Sequence, residues 1–160
     1  AGAVMFASPA RPILDLLREQ NVYLLQHSPE IPTAAATAHL QQLDAAIAAL
    51  RSDPQAQLPA LPGLPGSYWQ ELEAVEVVAE TAASGLPVLL QGGRDFQVSD
   101  RDWQLLNQGL QGPRYTFRHY PALNHLGIAG EGAGTLAEYQ QPGKVAADLI
   151  NDIVQWIHAR

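Results

Sequence analysis

Two ionisable residues stand where catalytic side chains collect in one kind of sheet. Asp95 follows the apolar run LPVLLQ (86–91) and a glycine pair, and His125 follows RYTFRHY (114–120), thirty residues beyond Asp95. If both runs are strands of an open parallel sheet, the loops at their carboxyl ends are where functional groups gather. Neighbouring parallel strands would bring the two side chains together above the sheet. A carboxylate bonded to one imidazole nitrogen fixes the tautomer and stabilises the imidazolium that forms when the other nitrogen takes a proton. That is the acid and base of a nucleophilic relay. Each residue alone has a plainer reading. An Asp after a glycine pair commonly turns or caps the chain, and an isolated loop histidine is commonly structural. Their joint placement, in order, position and spacing, favours the relay.

The other chemistry-bearing residues are less well placed. His27 and His39 lie in or near a helical stretch, His119 lies inside a strand, and His158 sits near a helix C-terminus, where a cation suits the helix dipole. A metal site from His119, His125 and an acid lacks HxH or HxxxH spacing, so no metal is expected. Gly132-Ala-Gly134-Thr-Leu-Ala137 fits a permissive dinucleotide fingerprint, but no strand runs directly into it. These glycines are expected to lend flexibility near the histidine loop. No GxxxxGK[ST] phosphate loop occurs, and no cofactor is expected. The absence of cysteine excludes disulfides, thiolate metal sites and a cysteine nucleophile, and assigns no compartment.

The elements that must position Asp95 and His125 follow from the hydrophobic pattern. Ala3–Ala7 reads as a short strand covered on both faces, ending at Ser8-Pro9. Pro12 opens a helix running to about Gln26, with Ile13, Leu14, Leu17 and Leu24 on its apolar side. Leu40, Leu43, Ile47 and Leu50 mark a second helix over about Thr33–Arg51, and QLPALPGLPG (57–66) reads as a stiff linker. Ser67 and Gln70 suggest a capping box for a helix over about 68–83, ended by Ser84-Gly85. After the acid strand, Ser99 or Asp100 starts a helix bearing Trp103, Leu106 and Leu110. The last helix, 144–158, carries Val145, Leu149, Ile153 and Trp156/Ile157. Strands separated by helices imply parallel pairing and right-handed crossovers.

Composition narrows the class. Hydrophobic residues make up 47% and charged residues 16%, which suits a chain with a well-buried core. A net charge of −7 with scattered basic residues argues against a nucleic-acid partner. No apolar run reaches 18 residues, so no membrane span is expected. AGAVMFAS (1–8) reads as a buried strand beginning at the first residue, and three strands are few to bury two layers of helices. Both features raise the expectation of an upstream portion, and of strand 3–7 forming an open sheet edge.

PVLLQGGRDFQV (87–98) resembles the acid-bearing strand and loop of α/β-hydrolases, and HYPALNHLG (119–127) resembles their histidine loop. The likeness is to bacterial esterases and serine-aminopeptidase-like hydrolases with a helical cap. It extends to SPARPILDLLREQ, to a Tyr-Trp helix before the acid strand, and to an E-Y-x-x-P-G turn at Glu138, Tyr139, Pro142 and Gly143. It covers nearly the whole chain and is weakest over 28–60. The resemblance implies an α/β fold: the C-terminal part of an α/β-hydrolase parallel sheet, about three strands with flanking helices, with 9–66 as a helical cap-like insertion. It implies Asp95 and His125 as catalytic residues acting on a small-molecule ester or amide. Phe96, Leu126 and Trp69 are candidates for the acyl-pocket wall, against the plainer reading of each as a core residue. The departure is the family's G-x-S-x-G elbow, which occurs nowhere here: serines 8, 28, 52, 67, 84 and 99 all lie in other contexts. The nucleophile is therefore expected in a missing N-terminal half, and this chain alone is expected to be inactive. The competing reading is a non-catalytic ligand-binding or regulatory module on a doubly wound α/β fold, flavodoxin-like or otherwise, which needs no Asp and His at adjacent strand ends.

Overall fold

The computed structural model describes residues 2–58, 63–86 and 89–159. In chain order its elements are β1 (Met5–Phe6), α1 (Ile13–Gln26), α2 (Thr33–Ser52), α3 (Gly66–Glu73), α4 (Val77–Ser84), β2 (Leu89–Gly92), α5 (Asp100–Gly109), β3 (Phe117–Tyr120), a 3-10 turn (Leu136–Gln140) and α6 (Ala147–His158). The chain divides into two compact units. One comprises Ala1–Ala10 and Val77–Arg160, and the other Arg11–Glu76.

The first unit is mixed α/β. Its described strands form a parallel sheet in the order β1-β2-β3. Met5 pairs with Leu89 and Phe6 with Leu90, while Leu89 to Gly92 pair in step with Phe117 to Tyr120. β1 has a partner on one side only among the described residues, so it forms an edge of this sheet. Successive strand residues face opposite sides of a sheet. Met5 accordingly joins Val77, Val78, Leu106, Leu110 and Phe117, whereas Phe6 joins Tyr120, Leu123, Leu149, Ile153 and Trp156. Helices α4 and α5 thus cover one face and α6 the other, which is why the strands read as apolar runs without alternation. Asp102, fully buried in the first turn of α5, accepts the Ala10 N–H at 3.0 Å and anchors the chain beyond β1.

The second unit is helical. Leu14 of α1, Leu43, Ile47 and Leu50 of α2, Leu58, and Trp69 of α3 form one buried cluster. At its surface Arg51 makes two hydrogen bonds to the Glu73 carboxylate, at 2.8 and 2.7 Å, and one to Asp15 at 2.6 Å. One cation therefore joins all three helices. The pairing with Glu73 first, and with Asp15, pushes the Arg51 guanidinium further above its already high range.

Several boundaries differ from the sequence expectation. Of the helical stretch expected over 9–66, residues 9 and 10 fall in the first unit and the rest in a unit that runs to Glu76 and takes in α3. The single helix expected over 68–83 is two, because its apolar residues serve separate cores: Trp69 packs with Leu50, but Val77 and Val78 pack with Leu106. The chain breaks between them at 74–76. The Ser67–Gln70 capping box does not form. Pro65 holds the N-cap position, and the Gln70 side chain donates to the Leu50 carbonyl at 2.8 Å instead. In the 57–66 linker, Gln57 and Pro65 form one isolated antiparallel bridge, and residues 59–62 lie outside the described residues. So do 87 and 88, where the acid strand was expected to begin. Val145 and Ile157, expected on the buried stripe of the last helix, are exposed.

Candidate active site

The loops after β2 and β3 are joined by main-chain bonds before any side chain acts. Gly93 N–H donates to the Tyr120 carbonyl at 2.8 Å, and Arg94 N–H to the Leu123 carbonyl at 2.9 Å. This approach requires glycine: a Cβ on Gly92 would lie 2.6 Å from the Leu123 oxygen, and one on Gly93 2.7 Å from the Pro121 Cα. The glycine pair is therefore a consequence of how tightly the acid loop crosses the histidine loop.

Asp95 emerges from this crossing with its side chain fully buried. Its two oxygens have separate tasks. Oδ1 accepts the N–H groups of Gln97 at 2.8 Å and Val98 at 3.0 Å, which is the turn-forming role common for such an Asp. Oδ2 faces His125 Nδ1 at 2.9 Å, with Gln91 Nε2 at the longer distance of 3.4 Å. Gln91, itself buried, donates mainly to the Val98 carbonyl at 2.6 Å and so closes the loop from beneath. The turn role and the histidine contact coexist in one carboxylate.

His125 sits at the tip of a small hairpin. Gly130 N–H bonds to the Ala122 carbonyl at 2.9 Å, and Asn124 N–H to the Ile128 carbonyl at 3.0 Å. A tight turn then runs from the Asn124 carbonyl to Gly127 N–H at 2.9 Å, with His125 at its first central position. Gly127 has φ +70, a region that side chains strain to adopt. An ionised carboxylate only accepts hydrogen bonds, so the Asp95 contact places the proton on Nδ1 and leaves the Nε2 lone pair available. No hydrogen bond engages Nε2 among the described residues, and the ring is 30% exposed. The pair can orient an imidazole and support it as it takes a proton from an incoming O–H.

The chain matches no family model and no solved structure. It is similar to a protein named Esterase EstD from Thermotoga maritima. The two share 28% identity over 161 residues, which cover 98% of this chain and 37% of that protein. The chain thus spans little more than a third of the length of the relative it matches.

The remaining residues singled out from sequence have ordinary surroundings. Phe96 is buried and stacks on Tyr139 with ring centres 5.9 Å apart, Trp69 belongs to the helical unit's core, and Leu126 is exposed beside His125. His119 Nε2 lies 2.8 Å from Asp100, His39 Nε2 lies 2.8 Å from Asn21, and His27 stacks on Tyr23. Among the described residues, no group of three or more His, Cys, Asp or Glu is arranged to hold a metal ion. Nor is any helix there long and apolar enough to cross a membrane. A cavity of about 230 Å³ in the helical unit is lined by Leu17, Asn21, His39, Leu43, Ala46 and Leu58, among others, and not by Asp95 or His125.

Asn124 is the site residue that sequence reasoning passed over. It is buried, and its Oδ1 accepts the N–H groups of Leu126 at 3.0 Å and Ile128 at 3.1 Å. The signal was available: an Asn three residues before a glycine is a turn former. The glycine segment near the histidine loop is bonded to the loop that carries Asp95. The Arg94 side chain bonds the Gly132 carbonyl at 2.8 Å and the Glu131 carbonyl at 3.0 Å.

Proposed function

We propose that this chain is the C-terminal part of a serine ester hydrolase of the α/β-hydrolase type, with His125 as general base and acid, oriented by Asp95. The observation that carries this reading is the Asp95–His125 contact, made at the ends of adjacent parallel strands with Nε2 left open. The likeness to an esterase supports the substrate class, a small-molecule ester.

In the proposed reaction, a serine supplied by sequence upstream attacks the acyl carbon while its hydroxyl proton passes to His125 Nε2. The imidazolium so formed is stabilised by Asp95 through Nδ1–H, and returns the proton to the leaving alkoxide as the C–O bond breaks. Water then repeats the sequence and frees the acid. The helical unit is assigned to the acyl-binding cap.

The test uses the full-length protein and short-chain p-nitrophenyl esters. His125→Ala and Asp95→Asn are each expected to lower kcat by about 10³–10⁴-fold. Asn keeps an oxygen for the Gln97 and Val98 turn but offers His125 Nδ1 a donor, which favours the wrong tautomer. Wild-type rates in both variants would refute the proposal. The upstream sequence is expected to carry G-x-S-x-G between a strand and a helix.

A further inference from the structure

The residue preceding the acid and the residue preceding the histidine meet at one carboxylate. Arg94 donates to both oxygens of Glu138, from one terminal nitrogen to Oε1 at 2.6 Å and from the other to Oε2 at 3.2 Å. Asn124 Nδ2 also donates to Oε2 at 3.2 Å. The other amide atom of Asn124, Oδ1, holds the turn that presents His125. Glu138 is thus one bond from the Arg94 side chain, next to Asp95, and one bond from the side chain that shapes the histidine turn.

Burying a guanidinium is costly unless its donors are satisfied. The Arg94 side chain is only 7% exposed, and its Nε and one terminal nitrogen also reach carbonyls of Glu131, Gly132 and Ala133. A two-point Arg–carboxylate contact adds directional constraint to charge attraction. The Arg94 hydrogen bonds, opposed by burial and assisted by Asn124, hold the Glu138 carboxyl below the usual carboxylate range, so it stays an acceptor at neutral pH. Ion pairing alone would be met by any surface geometry. Here the pair is shared with the amide that sets the histidine turn.

We propose that Arg94, Glu138 and Asn124 form a clamp that fixes His125 relative to Asp95, with Glu138 as its central positioning residue. The proposal rests on the hydrolase reading for its kinetic consequence, but its geometric claim concerns only the Asp95–His125 pair. Misplacing a catalytic group by about 1 Å costs up to about 100-fold in rate, so a loosened clamp lowers kcat without altering what binds the substrate.

The test is made in the full-length protein with a p-nitrophenyl ester, together with ¹H NMR of the low-field His125 Nδ1–H. Glu138→Ala is expected to lower kcat by about 10–100-fold with KM changed less than about twofold, and to shift or broaden the low-field signal. Glu138→Gln keeps an oxygen for Asn124 and is expected to recover most of the rate. Should Glu138→Ala not fold, Asn124→Asp decides. It keeps the Oδ1 acceptor of the turn but sets a carboxylate oxygen against Glu138, and about a tenfold loss of kcat is expected. Wild-type kcat and an unmoved signal in the folded variants overturn the clamp. So does a fall in thermal stability with kcat unchanged, which marks Glu138 as structural only. If His125→Ala leaves hydrolysis intact, the hydrolase reading fails, and the low-field signal alone then decides whether Glu138 holds the pair.

Discussion

In the helical unit Leu14, Leu43, Ile47, Leu50, Leu58 and Trp69 meet in one apolar cluster, whereas the end of β2 and the loops after β2 and β3 hold the buried Gln91, Asp95 and Asn124. The first arrangement is non-directional. Apolar side chains of suitable size and spacing hold it, and volume-conserving exchanges are tolerated. The second depends on direction. Each of its buried polar groups has partners at hydrogen-bond distance, and a displaced donor leaves an acceptor unmet in a poorly polarisable interior. A scaffold survives small errors in packing; a directed hydrogen-bonded pair does not survive comparable errors in distance.

Substitutions can break this contrast or sharpen it. The largest effect on stability is expected from Leu50→Ala, which removes a fully buried side chain from the helical cluster and costs about 2–5 kcal/mol. Denaturant unfolding would measure it, and hydrogen exchange would locate it. Amides of α1, α2 and α3 should lose protection while those of β2 and β3 keep theirs. Equal loss in both regions would erase the distinction.

Gly127→Ala comes next. It places a side chain at φ +70 and a Cβ 2.9 Å from Leu149 Cδ2, for about 1–3 kcal/mol of strain. Because Gly127 closes the turn that carries His125, kcat in the full-length protein should fall by more than the change in Tm would suggest. A stability loss with kcat untouched would mean that the histidine turn tolerates distortion, contrary to its directional character.

The smallest effect is expected at Arg51. Arg51 and Asp15 are exposed while Glu73 is half-buried, so Arg51→Ala should cost about 1 kcal/mol, less in high salt. Thermal unfolding at low and high ionic strength would check this. A loss of several kcal/mol would show that the helical unit, too, depends on directed polar contacts.

Much of the scaffold was legible because periodicity reports burial. α1, α2 and α5 lie within a residue or two of where their apolar spacing places them. The helix over 68–83 was misread because periodicity does not say which core a side chain joins, and Trp69 and Val78 join different ones. That Asp95 and His125 meet was legible from order and strand-end position. Arg94, Glu138 and Asn124 were not read as one group, since Arg94 and Glu138 are 44 residues apart and nothing local signals their meeting.

The sequence by itself determined the alternation of strand and helix, the absence of thiol chemistry, and the acid and histidine at successive strand ends. These are local matters of residue type, spacing and turn chemistry. Only the tertiary structure decided that one Asp95 oxygen makes a turn while the other meets His125, that the glycine pair lets two loops cross, and that Glu138 links both loops. Those facts depend on where distant backbones approach within a few ångströms, and the packing of the sheet and α6 around them sets that approach.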